Sequence, residues 1–114
     1  MSFEAELLCA DRTHAQAART AVPSAEHLEE TARLAKAFAE PNRVAIAAAL
    51  SADGELCGCD LSEILRLPQN LVSHHLGKMR SAGASRARRD GKLVMHSLTD
   101  DGMRAFIALG GGER

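Results

Sequence analysis

Apolar residues recur at helical spacing through most of this 114-residue chain, and the breaks between the runs divide it into elements. After Ser24, Leu28, Ala32, Ala35 and Ala39 fall three or four positions apart, with Leu34 and Phe38 widening the stripe. Ser24 is a helix-capping residue, and Glu26, Glu29 and Glu30 suit the positive N-terminal end. Glu40-Pro41 breaks this helix, and Pro41 is well placed to start the next. From Asn42 to Leu50 the residues are nearly all small and apolar, which predicts a core helix. Ser51 to Gly54 reads as a turn. A short helix then runs through Leu65, with Leu61, Ile64 and Leu65 inward. Leu67-Pro68-Gln69 is a tight break. A longer helix follows from Gln69 to Ser81, with Leu71, Val72, Leu76 and Met79 on its apolar side and Gly83 ending it.

The period then changes. Asp90-Gly91 is a two-residue hairpin signal between two extended runs, Ser85 to Arg89 and Lys92 to Leu98. Thr99-Asp100-Asp101 caps a last helix over 100–109, which stops at a run of glycines. A short helix, a tight turn, a longer helix with a polar face and a basic hairpin make a winged helix-turn-helix. The fold class is therefore mainly α with a small β-hairpin wing. Three segments are expected: an Ala-rich arm over 1–23, compatible with partial helix but read as mobile and closed by Pro23, a DNA-binding domain over 24–109, and a tail over 110–114.

Charge sharpens this reading. The net charge is only -1, but residues 66–96 hold seven basic side chains against the single Asp90. Residues 1–65 hold eleven acidic side chains against five basic. A basic third on an acidic body fits a polyanion-binding face. Gln69 and Asn70 suit base edges, and Ser73, His74, Lys78 and Arg80 share the polar side of the same helix. Arg86, Arg88, Arg89 and Lys92 of the hairpin suit phosphates or a minor groove. A solvated, charged hairpin behind an ordinary helix pair is the plainer alternative. His74 and His75 are offset by about 100° on a helix, so one faces DNA or solvent and the other packs inward. No run approaches the ~20 apolar residues of a membrane span, and no basic and apolar leader opens the chain, so a cytoplasmic location is expected.

The candidate chemistry lies in ELCGCDL, residues 55–61, where Cys57 and Cys59 are one residue apart. Within a regular helix their side chains would diverge by about 200°. They converge only at a helix edge or in extended backbone, and Gly58 gives freedom there. Thiolates bind cadmium, lead, zinc and arsenic(III). Two ligands are too few: zinc takes four, and arsenic(III) is satisfied by three thiolates. The third cysteine, Cys9, sits in CADRTH with Asp11 and His14. An arm bringing Cys9 and His14, or Asp11 in place of His14, onto Cys57 and Cys59 would complete a site. Buried cysteines acting as small hydrophobes, or a free thiol on the arm, are the plainer readings. No phosphate-binding loop or nucleophile–base arrangement points to an enzyme.

AFAEPNRVAIAAAL (37–50), ELCGCDL (55–61), LVSHHLGKMRSAG (71–83) and RRDGKLVMHSL (88–98) together resemble the ArsR/SmtB family of metal-sensing winged-helix repressors, in family order. The resemblance implies a homodimer joined through its first and last helices. It implies operator binding by the metal-free dimer and release by a thiophilic ion, with no membrane partner. Similarity is strongest to the cadmium/lead-sensing branch, in which the C-x-C pair joins cysteines of an N-terminal arm. Cys57 and Cys59 match that pair and Cys9 matches an arm ligand. Cadmium, lead or zinc is the expected inducer. An arsenic(III)- or antimony(III)-responsive repressor and a thiol redox-sensing repressor are the alternatives. Ser62 stands where arsenic sensors often carry a third cysteine, so an arsenic site would need Cys9. Asp100 is present, but Gly102 replaces a histidine of the zinc-sensing branch. Gly83-Ala84-Ser85 is less apolar than the family's usual lead-in to the wing, so the comparison implies a short or loosely packed first wing strand.

Overall fold

The computed structural model describes residues 12–112. Helix α1 spans Arg12–Ala21 and buries none of its residues. Its alanines supply helix propensity without a packing face, in keeping with the partial helix that the Ala-rich arm allowed. Helix α2 spans Ala25–Ala37, and the Ser24 hydroxyl accepts the His27 N–H at 3.2 Å, as its capping chemistry requires. Helix α3 spans Pro41–Asp53. The Glu40 carboxylate caps it by accepting the Arg43 N–H at 3.1 Å, and Pro41 opens its first turn.

Helix α3 continues past Leu50 through three of the residues read as a turn. It ends at Gly54, whose φ of +91° favours glycine and whose N–H donates to the Leu50 carbonyl at 2.8 Å. Strand β1 follows at Leu56–Cys57, then helix α4 at Gly58–Leu65 and helix α5 at Gln69–Ser81. Strands β2, Ser85–Asp90, and β3, Leu93–Leu98, form the hairpin around Gly91. Helix α6, Asp100–Ala108, is capped by Thr99, whose hydroxyl accepts the Gly102 N–H at 2.9 Å.

The wing is a three-stranded antiparallel sheet in the order β1-β3-β2, one strand more than the hairpin expected from sequence. β1 pairs Leu56 with His96 and Cys57 with Met95. A two-residue strand carries no periodicity, so only its partner reveals it. The expectation of a short or loose first wing strand is corrected. β2 pairs along its whole length, from Ser85 opposite Leu98 to Asp90 opposite Leu93, and Ala84 and Ser85 are buried.

The core joins Ile46 and Leu50 of α3, Leu61 of α4, and Val72, Leu76 and Met79 of α5, all with essentially no exposure. Each such side chain contributes about 1.5–3 kcal/mol of burial. Phe38 and Phe106 close one end with ring centroids 6.3 Å apart. Ile64, read as inward, is exposed. It lies about 300° around α4 from Leu61 and clears the contact edge. α6 approaches the corner between α5 and β2 at Gly102, where an added Cβ would stand 2.0 Å from the Ala84 carbonyl oxygen.

Candidate metal site and nucleic-acid interface

Cys57 ends β1 in extended backbone and is the N-cap of α4, its Sγ accepting the Asp60 N–H at 3.4 Å. It is buried, while Cys59 in the first turn of α4 is exposed, and neither is disulfide-bonded. The pair thus straddles a strand-to-helix junction, the setting in which a C-x-C pair can converge. Both line a depression of about 210 Å³. Its other walls are Gln69 and Ser73 of α5 and Lys92, Leu93, Val94 and His96 of the wing. Cysteine pair, second helix and wing therefore meet at one place.

Cys9 and Asp11 lie outside the described residues, and His14 lies on α1. Among the described residues no three His, Cys, Asp or Glu side chains are gathered closely enough to hold an ion. Of the expected ligand set, Cys57 and Cys59 line one depression, and His96, which the sequence reading did not single out, lines it too. That residue retains 7% exposure, and its Nδ1 has no hydrogen-bond partner. Burial lowers its pKa, and the nearby positive charge of Arg80 lowers it further. Nothing in the alternation of LVMHSL distinguishes His96. Its place beside the cysteines depends on the β1–β3 pairing and on the turn from β1 into the next helix.

All ten residues read as DNA contacts are exposed: Gln69, Asn70, Ser73, His74, Lys78 and Arg80 on α5, and Arg86, Arg88, Arg89 and Lys92 on the wing. His74 and His75 part as helical geometry requires, the first exposed and the second buried. His75 Nδ1 lies 3.3 Å from Arg43 Nη1, and His75 Nε2 lies 3.7 Å from a Glu40 carboxylate oxygen. Arg43 Nε in turn donates to the Ala37 carbonyl at 2.6 Å. The inner side of α5 is thereby tied to the start of α3. Sequence reading missed this role of Glu40 and Arg43, because it assigned Glu40 only to a helix break.

Arg88 is not held like its neighbours. Its Nε and Nη2 each donate to Glu55 at 2.6 Å, a bidentate pair linking β2 to the residue before β1. The hydrogen bond from Arg88 holds the Glu55 carboxyl below the usual carboxylate range.

A helix pair whose second helix presents an exposed polar side, beside a basic three-stranded wing, defines the winged helix-turn-helix class of DNA-binding regulators. Within that class the chain belongs to the arsR family of bacterial regulatory proteins, whose profile matches residues 40–83. It is 37% identical over 78 residues to a cadmium resistance transcriptional regulatory protein CadC homolog of Staphylococcus aureus, covering 68% of this chain and 64% of that one. It is 33% identical over 91 residues to a transcriptional repressor SmtB homolog of Synechocystis, covering 77% of this chain and 68% of that one. Its fold matches the homodimeric winged helix-turn-helix domain of a possible ArsR-family regulator of Mycobacterium bovis with a TM-score of 0.70 and 28% identity. That match covers 79% of this chain and 86% of the other. This is a family of transcriptional regulators, not of enzymes.

Proposed function

We propose that this chain is a metal-responsive transcriptional repressor. It binds operator DNA as a metal-free homodimer and lets go when a thiophilic ion, cadmium, lead or zinc, is captured at Cys57 and Cys59. The observation that carries this reading is the shared depression: the cysteine pair opens onto the same space as Gln69, Ser73 and Lys92. An ion there acts on the side chains best placed to meet DNA. The donors suit soft ions, with two thiols and a buried, unpartnered imidazole at one rim. The similarity to a cadmium resistance regulator of Staphylococcus and to a transcriptional repressor of Synechocystis supports this reading. Cys9, with His14 or Asp11, would complete the ligand set from the arm. Such a repressor works in the cytoplasm. No helix among the described residues is long and apolar enough to cross a membrane.

Coupling between ion and operator is reciprocal, and its usual range is about 5- to 150-fold. The test titrates operator binding with cadmium, lead, zinc and arsenite, in the wild type and in Cys57→Ser/Cys59→Ser. At least one ion should weaken wild-type binding by about tenfold or more and leave the double variant bound. If every ion leaves wild-type binding unchanged, the reading fails. Release by arsenite alone would replace the cadmium, lead and zinc assignment with the three-thiolate one.

A further inference from the structure

We propose that His96 of β3 supplies a nitrogen ligand to the ion captured by Cys57 and Cys59, so that the ion ties the start of α4 to the wing. This rests on the metal-responsive reading above and adds a donor from the folded domain itself.

Three observations converge on His96. It is 93% buried (7% exposed), yet neither ring nitrogen makes a hydrogen bond among the described residues, and Nδ1 is fully enclosed. Buried polar atoms nearly always have partners, so an exception calls for a reason. Two positions further along the same face of the strand, Leu98 shows what plain core packing would put there. Last, His96 lines the depression that holds both cysteines.

The sheet explains how these donors come within reach. In the β1–β3 register Leu56 lies opposite His96 and Cys57 opposite Met95. The pleat alone would place Cys57 and His96 on opposite faces. The chain leaves the sheet at Cys57 and turns into α4, and this turn brings Cys57, Gly58 and Cys59 to the edge of the depression beside His96. Two thiolates and an imidazole form a familiar donor set for zinc and its heavier relatives. As folded, the three are not yet gathered around a point. Capture must therefore draw His96 and the cysteine turn together. Because β3 pairs with β2 along its whole length, the pull reaches Arg86 and Arg89 as well as Lys92. The wing becomes the moving part that reports the ion to DNA.

The experiment uses the full chain, histidine-labelled with the magnetic nitrogen isotope and loaded with magnetic cadmium. It reads three things: thiolate-to-cadmium absorption, cadmium affinity by chelator competition, and scalar coupling between cadmium and a His96 ring nitrogen. The wild type should show the coupling. His96→Gln should keep the thiolate absorption, bind cadmium about tenfold or more weaker, and shift its cadmium resonance. Absence of coupling in the wild type, or unchanged affinity and resonance in His96→Gln, overturns the proposal and leaves the cysteine site standing. Should His96→Gln fail to fold, the wild-type coupling decides alone. If Cys57→Ser/Cys59→Ser binds cadmium as tightly as the wild type, or the wild type binds none, the metal-responsive reading falls and this proposal with it.

Discussion

At Gly102 the chain has room for no side chain, since the missing Cβ would sit 2.0 Å from the Ala84 carbonyl oxygen. That oxygen is backbone and also accepts the Thr99 N–H at 3.1 Å, so it cannot swing aside. Gly102→Ala should destabilise the fold by about 1–3 kcal/mol through overpacking, read as a lower urea midpoint with an unchanged slope. In the sequence this glycine registered only as a departure from a zinc-site pattern. The packing that requires it joins α6 to the α5–β2 corner, a contact no local pattern reports. His96 makes a second residue-scale prediction. Its imidazole has a pKa below the ordinary histidine value, through burial first and Arg80 second. The unfolded chain therefore takes up this proton at a higher pH than the fold does. The stability it contributes is present in full above about pH 6.5 and is lost as pH falls through the lower folded value. With metal chelated, the urea midpoint should fall below about pH 6.5. In His96→Gln the fall should be smaller.

The elements that were legible in sequence are those with local punctuation. Ser24, Pro41, Thr99 and Gly91 stand where their capping and turn chemistry predicted. What escaped was set by partners distant in sequence. β1 exists because β3 offers it a register. The end of α3 moved because Ser51, Ala52 and Asp53 tolerate a helix until Gly54 stops it. The wing also carries a constraint that charge counting hid. Arg88 counted as one more DNA-facing cation, yet Glu55 holds it in a bidentate pair. Because the Glu55 carboxyl titrates below its ordinary value, the pair is intact at neutral pH and is lost only as acid carries the pH through that lowered value. Arg88→Ala should therefore weaken operator binding less than Arg86→Ala or Arg89→Ala does. Glu55→Gln, by freeing Arg88, should tighten operator binding and steepen its salt dependence by about one phosphate contact. Gel shifts across a salt series measure both.

On the whole molecule, one patch of exposed apolar side chains lies where α2 and α6 run side by side. Leu28 on α2 and Ile107 and Leu109 at the end of α6 are 46%, 60% and 64% exposed. A depression of about 340 Å³ between the two helices is lined by Leu34, Ala35, Ala105 and Ala108 among others. In the homodimer proposed above, this is the face that a second copy would cover. Ile107→Asp should shift the sedimenting species from dimer to monomer, and specific operator binding should drop with it, because two half-sites are read by two linked recognition helices. The sequence disclosed the helices that form this face but not the site's inner wall, since His96 and Cys57 belong to strands paired across nearly forty residues. The cap on α4 carries a last consequence. One sulfur both fastens that helix and offers itself to an ion. Serine in its place is a strong helix cap worth about 0.5–2 kcal/mol, but a poor ligand for soft metals. Cys57→Ser should thus produce more than a deaf sensor: a sturdier protein that holds its operator through metal stress, a permanent off-switch made by exchanging a single atom.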